Sequence, residues 1–214
     1  MFLVVLGLGD LQAVLLEDHG HAAPVDESAA SVTDSDIPAG KPVAPLLGGL
    51  GTWSMKVSTR SVRAQQFFDQ GIRMVYAFNH AEAVRAFQEA ARTDPALAMA
   101  PWGEALALGP NINAPLTADG HTQAFAAIQK AVKLRASASP KEQALIEALS
   151  LRYTADTKAE RAPFDKAYAD AMKHVAAKFP QDGDIGTLYA AAVMDTMPWN
   201  YWEKEARRVP APRT

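Results

Sequence analysis

Two short polar segments contain the side chains best suited to chemistry. His80 and Glu82 are separated by one residue and could act as an acid–base pair or bind a metal ion. Asn111 and Asn113 belong to the run Gly-Pro-Asn-Ile-Asn, a loop long enough to contact a ligand. No nucleophile–base pair, phosphate-binding loop or helical metal-ligand motif accompanies them. We therefore predict no catalytic, cofactor-binding or metal-binding residue; the alternative is a metal-dependent hydrolase that uses these four residues.

The composition excludes further classes of site and partner. The 214-residue chain contains no cysteine, which rules out disulfides, thiolate zinc sites and cysteine nucleophiles. A net charge of -3 gives no basic field of the kind that attracts nucleic acids. No apolar run reaches the roughly 20 residues of a membrane-spanning helix. We expect a protein or peptide partner, with no nucleic-acid binding, no transmembrane span and no cofactor.

The residues on either side of His80 predict a pair of helices. From Phe67 to Phe78, aromatic and small residues recur every three or four positions, the spacing of one helix face. Gly71 and Ala83 are small where two helix backbones would approach closely. Pro95 cannot continue a helix and ends the second one. One such pair cannot bury its own apolar surface, so further helices must pack against it.

The same spacing returns along the rest of the chain. Ser139, Pro140 and Glu142 together form a strong helix start. Asp184 is predicted to cap the last helix. The further predicted helices cover residues 98–108, 117–134, 141–153, 163–180 and 184–195. The last helix lacks a partner, so we expect either a truncated product or the N-terminal part of a longer array.

The segment 64–95 resembles a tetratricopeptide repeat. Gln70 and Met74 depart from that repeat's pattern, which has Leu and Tyr at their positions. The matching residues are Phe67, Gly71, Ala83, Phe87, Ala90 and Pro95.

Residues 57–202 are also similar to a family of bacterial tetratricopeptide-repeat proteins of unassigned function. The shared motifs are Phe78–His80, Asp94–Pro95, Trp102–Gly103 and Gly109–Asn113. The resemblance implies an all-α fold, a right-handed α-solenoid of helix hairpins covering residues 53–202. It also implies no catalytic residue, and family members are commonly longer than this chain.

Residues outside the predicted repeats form two terminal segments. Residues 1–52 are predicted to be a signal-like leader and a flexible linker, and residues 203–214 a short basic tail. Residues 1–16 are apolar but lack the basic start of a signal peptide. We expect export to the periplasm; the alternative location is the cytoplasm. His19 and His21 are interpreted as solvated linker residues.

The first predicted helix has a second apolar face, which predicts a binding surface. This face is either buried beneath Trp53 and the linker or open as an apolar groove. In the second case the protein is an interaction scaffold that binds a peptide on a concave surface, or self-associates through the uncapped helix at 183–194. The predicted partner-binding residues are Phe68, Ile72, Tyr76, Trp102, Asn111 and Asn113.

Overall fold

The part of the protein that the computed structural model describes, residues 40–197 and 199–202, is all-α and contains no β-strand. The all-α prediction is thus confirmed for these residues. None of their helices is both long enough and apolar enough to cross a bilayer. The predicted leader at 1–16, His19, His21 and the tail at 203–214 lie outside the described residues. The seven helices are α1 (Val62–Tyr76), α2 (His80–Thr93), α3 (Met99–Leu108), α4 (Ala118–Leu134), α5 (Pro140–Ser150), α6 (Ala162–Lys178) and α7 (Gly183–Asp195).

Four of the helices begin at a side chain that caps them. Ser61, Thr117, Ser139 and Asp182 each accept a hydrogen bond from the backbone N–H three residues further on. A cap of this kind stabilises a helix by about 1 kcal/mol. The start of α5 is a complete capping box, as predicted, because the Glu142 carboxylate also accepts from the Ser139 N–H at 2.7 Å. The cap of α7 is Asp182 rather than the predicted Asp184.

Each helix packs against the next one along the chain. Since residues 77–79 are all that connects α1 to α2, these two helices must run antiparallel. The first helix also contacts α3, and α3 contacts α5. Helices α1, α3 and α5 therefore lie side by side.

The ring of Phe87 fills the space between α1 and α3. It is fully buried and lies against two glycines, Gly71 of α1 and Gly103 of α3. A Cβ atom added at Gly71 would stand 2.6 Å from Phe87 Cε1, and one added at Gly103 would stand closer still. Phe68 completes the contact, with its ring centroid 5.4 Å from that of Phe87. No side chain larger than glycine fits at either helix position while the ring stays in place.

An extended segment, residues 41–60, crosses the outside of α1 and α2; we call it the N-terminal strap. Buried polar side chains of α1 hold its backbone. Gln70 accepts from the Leu47 N–H at 2.8 Å and donates to the Pro45 carbonyl at 3.0 Å. Asp69 accepts from the Met55 N–H at 3.1 Å. Gln70, which departs from the repeat pattern, therefore binds the strap instead of packing as an apolar residue.

Two buried glutamates on other helices hold the strap at further points. Glu89 of α2 accepts from the Val43 N–H at 2.8 Å, and Glu142 of α5 accepts from the Ser58 N–H at 2.6 Å. Burial acts to raise the pKa of Glu89, but its hydrogen bonds with Arg92 and Val43 outweigh burial and lower that pKa. Residues 43–47, which the sequence interpretation placed in a flexible linker, are thus bonded to α1 and α2.

We predict that Gly71→Ala and Gly103→Ala each destabilise the protein. Overpacking costs about 1–3 kcal/mol, whereas replacing a helical glycine by alanine returns up to about 1 kcal/mol. Gly186→Ala in α7 is the control, because no atom lies within 4 Å of its added Cβ; it should raise the melting temperature. Phe87→Leu should reduce the cost of Gly71→Ala in a double-mutant cycle. A Gly71→Ala variant that melts at or above the parent temperature would contradict this account of the Phe87 contact.

We predict that Gln70→Leu releases the middle of the strap without unfolding α1. It removes two hydrogen bonds that together contribute about 1–3 kcal/mol. Amide hydrogen exchange at Leu47 should accelerate by about one to two orders of magnitude, while the amides of α1 stay protected. Gln88→Leu is the matched control, because Gln88 bonds Glu104 instead of the strap. Unchanged exchange at Leu47 would mean that other contacts hold the strap.

Candidate functional site

An apolar cavity of about 210 Å³ opens where α7 faces the ends of α1 and α3; we call it the α7 cavity. It is lined by the end of α1, the start of α2, the loop after α3 and the second half of α7, with single residues of α3 and α6 and Arg152 after α5. Its apolar wall includes Val75, Phe78, Leu106, Ile112, Leu188 and Met194. A cavity of this size holds about one aromatic ring, since an apolar cavity of about 150 Å³ binds benzene.

Three residues singled out from the sequence meet in the α7 cavity: Tyr76, His80 and Asn111. Asn113 lines a second cavity of about 390 Å³, which shares Asn111 and Asp195 with the first. The two cavities are therefore neighbours beneath the loop 109–113. The Asn111 side chain also accepts from the Asn113 N–H at 2.9 Å, a turn contact that holds this loop in shape.

The other predicted partner-binding residues are buried in the core. Phe68 and Ile72 have no exposed surface, since Phe68 packs on Phe87. Trp102 is also fully buried, and its indole N–H donates to the Leu145 carbonyl at 3.1 Å. Of the apolar face predicted on α1, Tyr76 alone is exposed, with 38% of its surface accessible. The ring of Trp53 in the strap packs edge-on against it, with 5.6 Å between the ring centroids.

His80 has an unusual environment at the wall of the α7 cavity. Both of its ring nitrogens are buried, and neither has a hydrogen-bond partner among the described residues. The imidazole instead meets the ring of Phe78 edge-on, with 5.9 Å between centroids. Burial lowers the pKa of His80, so the imidazole is neutral near pH 7, with one N–H donor and one acceptor nitrogen. Buried polar groups without a partner are rare in folded proteins.

Glu82, the predicted partner of His80, does not line the cavity. Its carboxylate pairs with Arg85 at 3.2 Å on the outer side of α2. Across the described ranges, no group of three or more His, Cys, Asp or Glu side chains is arranged to hold a metal ion. The metal-dependent alternative therefore has no preformed ligand set in this part of the chain.

Arg152, which the sequence analysis did not identify, forms a buried ion cluster in the cavity wall. Its Nε donates to Asp165 of α6 at 2.9 Å and its terminal nitrogen to Asp195 of α7 at 2.8 Å. The guanidinium also lies over the ring of Tyr168, 5.1 Å from the centroid. Burial raises the pKa of Asp195, although Arg152 opposes this effect. The cluster joins the end of α5 to α6 and α7, and Asp165 also pairs with Arg161 at 2.8 Å.

The electrostatic character of the α7 cavity follows from which helix ends meet there. The last residues of α1 and α7 line it, and α3 ends two residues after Leu106. Helix C-terminal ends carry a partial negative charge, whereas the N-terminal end of α2, which begins at the lining residue His80, carries a partial positive charge. Burial, and then Asp184 and Asp182, raise the pKa of Tyr76 to about 12, so its hydroxyl stays protonated. The cavity thus presents neutral hydroxyl, imidazole and amide groups beside the paired charges of Arg152 and Asp195.

Comparisons with known proteins give no family for this chain. No protein-family model matches it, and neither a curated protein nor a solved structure does. The class of protein and the role of the cavity are therefore argued from geometry.

We predict that Arg152→Met destabilises the protein by about 3 kcal/mol, because Asp195 loses its counter-charge and Asp165 keeps only Arg161. Arg135→Met is the matched control, since Arg135 pairs with Glu147 at 2.7 Å with both side chains over 40% exposed; such pairs contribute at most about 1 kcal/mol. Urea unfolding of both variants measures the difference. Equal losses in the two variants would show that the cluster is not a main support of α7.

Proposed function

We propose that the chain is a tetratricopeptide-like interaction protein. Pairs α1–α2, α3–α4 and α5–α6 would stack as a right-handed α-solenoid, with α7 as the first helix of a fourth pair. The glycines against Phe87 support this proposal, because the repeat pattern requires small residues where helices meet. Two ion pairs support it as well: Lys141–Asp182 at 2.9 Å joins the beginnings of α5 and α7, and Arg152–Asp195 at 2.8 Å joins their ends. Helices α5 and α7 therefore run parallel, as alternate helices do in stacked hairpins.

The binding role is the second part of the proposal: the protein binds a segment of a partner protein at the α7 cavity and has no catalytic activity of its own. The observation that carries it is an apolar cavity, large enough for one side chain, that opens beside a second cavity under the loop 109–113. A partner residue would insert into the first cavity while the adjoining chain follows the second. Tyr76, Asn111 and Asn113 are the predicted residues that such a segment can reach.

A peptide-display selection against the full chain tests this role. Ala191 is exposed on α7 and lines the cavity, so Ala191→Phe should occupy the cavity without disturbing the core. Ala190 is exposed on the same helix but does not line the cavity, which makes Ala190→Phe the matched control. Peptides enriched by the parent should bind Ala190→Phe and lose at least about tenfold in affinity for Ala191→Phe, a loss of about 1.4 kcal/mol. Circular dichroism checks that both variants keep their helicity.

Two results would count against the proposed function. In one, the parent enriches no peptide above background. In the other, the enriched peptides bind Ala191→Phe and the parent equally well, which would move the binding surface away from the α7 cavity.

A further inference from the structure

We infer that the α7 cavity selects a tyrosine side chain of the partner segment, with the tyrosine hydroxyl bonded to His80. This inference rests on the proposed function, because the same cavity receives the partner. It adds the chemical class of the inserted group and the residue that recognises it.

The shape and lining of the cavity favour an aromatic ring. Val75, Leu106 and Leu188 offer apolar walls, and the volume of about 210 Å³ exceeds the roughly 150 Å³ that admits benzene. Tyr76 and Tyr168 add aromatic surface, against which an inserted ring packs edge-on or offset. A straight aliphatic side chain would leave part of this space unfilled.

The unpaired imidazole favours an aromatic ring that carries a hydroxyl. A phenylalanine or leucine would leave both nitrogens of His80 without a partner, which keeps an unfavourable buried group in the complex. A tyrosine hydroxyl both donates and accepts, so it pairs with either neutral tautomer of the imidazole. Burial lowers the pKa of His80 and so keeps the imidazole in the neutral form that makes this hydrogen bond.

A half-turn of the His80 ring makes the bond possible. In the orientation described, both nitrogens are buried and have no hydrogen-bond partner among the described residues. A half-turn about the Cβ–Cγ bond exchanges Nδ1 with Cδ2 and Nε2 with Cε1, and the ring keeps the same outline. The flipped ring therefore places a nitrogen where a ring carbon stood.

The charges around His80 disfavour an ionised group at the same position. Asp195 and the C-terminal ends of α1 and α7 oppose an anion such as a phosphorylated tyrosine, and the N-terminal end of α2 at His80 offsets part of this effect. Arg152 lines the cavity and opposes a cation, while its own charge is taken up by Asp165 and Asp195. A neutral phenol avoids both the repulsion of an anion and the repulsion of a cation.

Titration of the full chain with N-acetyl-tyrosinamide and N-acetyl-phenylalaninamide tests the inference. In the parent we expect the tyrosine compound to bind about tenfold more tightly, the ratio that one net hydrogen bond supplies. In His80→Leu the ratio should fall to about one. His174→Leu is the matched control, because His174 is exposed on α6 and should keep the parent ratio. Ala191→Phe should weaken both compounds.

A second readout does not depend on a folded variant. In the parent labelled with ¹⁵N-histidine, the imidazole nitrogens of His80 should shift on adding N-acetyl-tyrosinamide and stay in place with N-acetyl-phenylalaninamide. The resonances of His174 should not respond to either compound. Unshifted His80 nitrogens at saturating N-acetyl-tyrosinamide would overturn the inference even where His80→Leu fails to fold.

The remaining outcomes separate the inference from the proposed function. Equal binding of the two amides to the parent overturns the tyrosine inference, and the proposed function survives if displayed peptides still require an open cavity. Binding of free phenol without binding of N-acetyl-tyrosinamide also overturns it, because the site would then take a small molecule. If the parent protein binds neither amide and none of the displayed peptides, both the tyrosine inference and the proposed function are overturned.

Discussion

The buried ring of Phe87 is the contact on which the arrangement of the first three helices depends. It belongs to α2, yet it touches a glycine on α1 and a glycine on α3, so the two helices cannot shift along each other without displacing it. Close packing makes such a displacement costly. Because α1 and α3 are fixed in this register, Val75 near the end of α1 and Leu106 near the end of α3 both line the α7 cavity. The position of the cavity thus depends on the packing of Phe87 against Gly71 and Gly103, which do not line the cavity themselves.

Buried polar side chains explain why the outer face of α1 is covered. Gln70, Asp69 and Glu89 bind backbone groups of the strap, which gives an extended segment partners that it lacks within itself. An apolar leucine at position 70 would have packed against the strap but would have left the backbone groups of Pro45 and Leu47 without their hydrogen-bond partner. At the end of α1, Tyr76 packs against Trp53 of the strap and keeps 38% of its surface exposed.

Local patterns predicted the helices because their signals are local. The spacing of apolar residues, the Ser139 capping box and the small residue at Gly71 all act within a few positions. The strap has no such signal, since its hydrogen bonds reach side chains far along the chain. The Arg152 cluster is invisible for the same reason, because its partners lie 13 and 43 residues away. The residues that line the cavity are spread along the chain from Val75 to Asp195. The sequence could therefore indicate His80 and Asn111 as separate candidates, but it could not predict that they lie in the same cavity.

The two ion pairs that join α5 to α7 differ in exposure. This difference determines which end of α7 detaches first. Lys141 and Asp182 remain in contact with water, with 29% and 22% of their side chains accessible, whereas Arg152 is 2% accessible. Dissolved salt screens the first pair far more than the second. Asp182 is also the residue that caps α7, so this end holds two of the helix's attachments on one carboxylate. Rising ionic strength should therefore detach the N-terminal end of α7 first, while its C-terminal end, which borders the cavity, stays bound through Arg152.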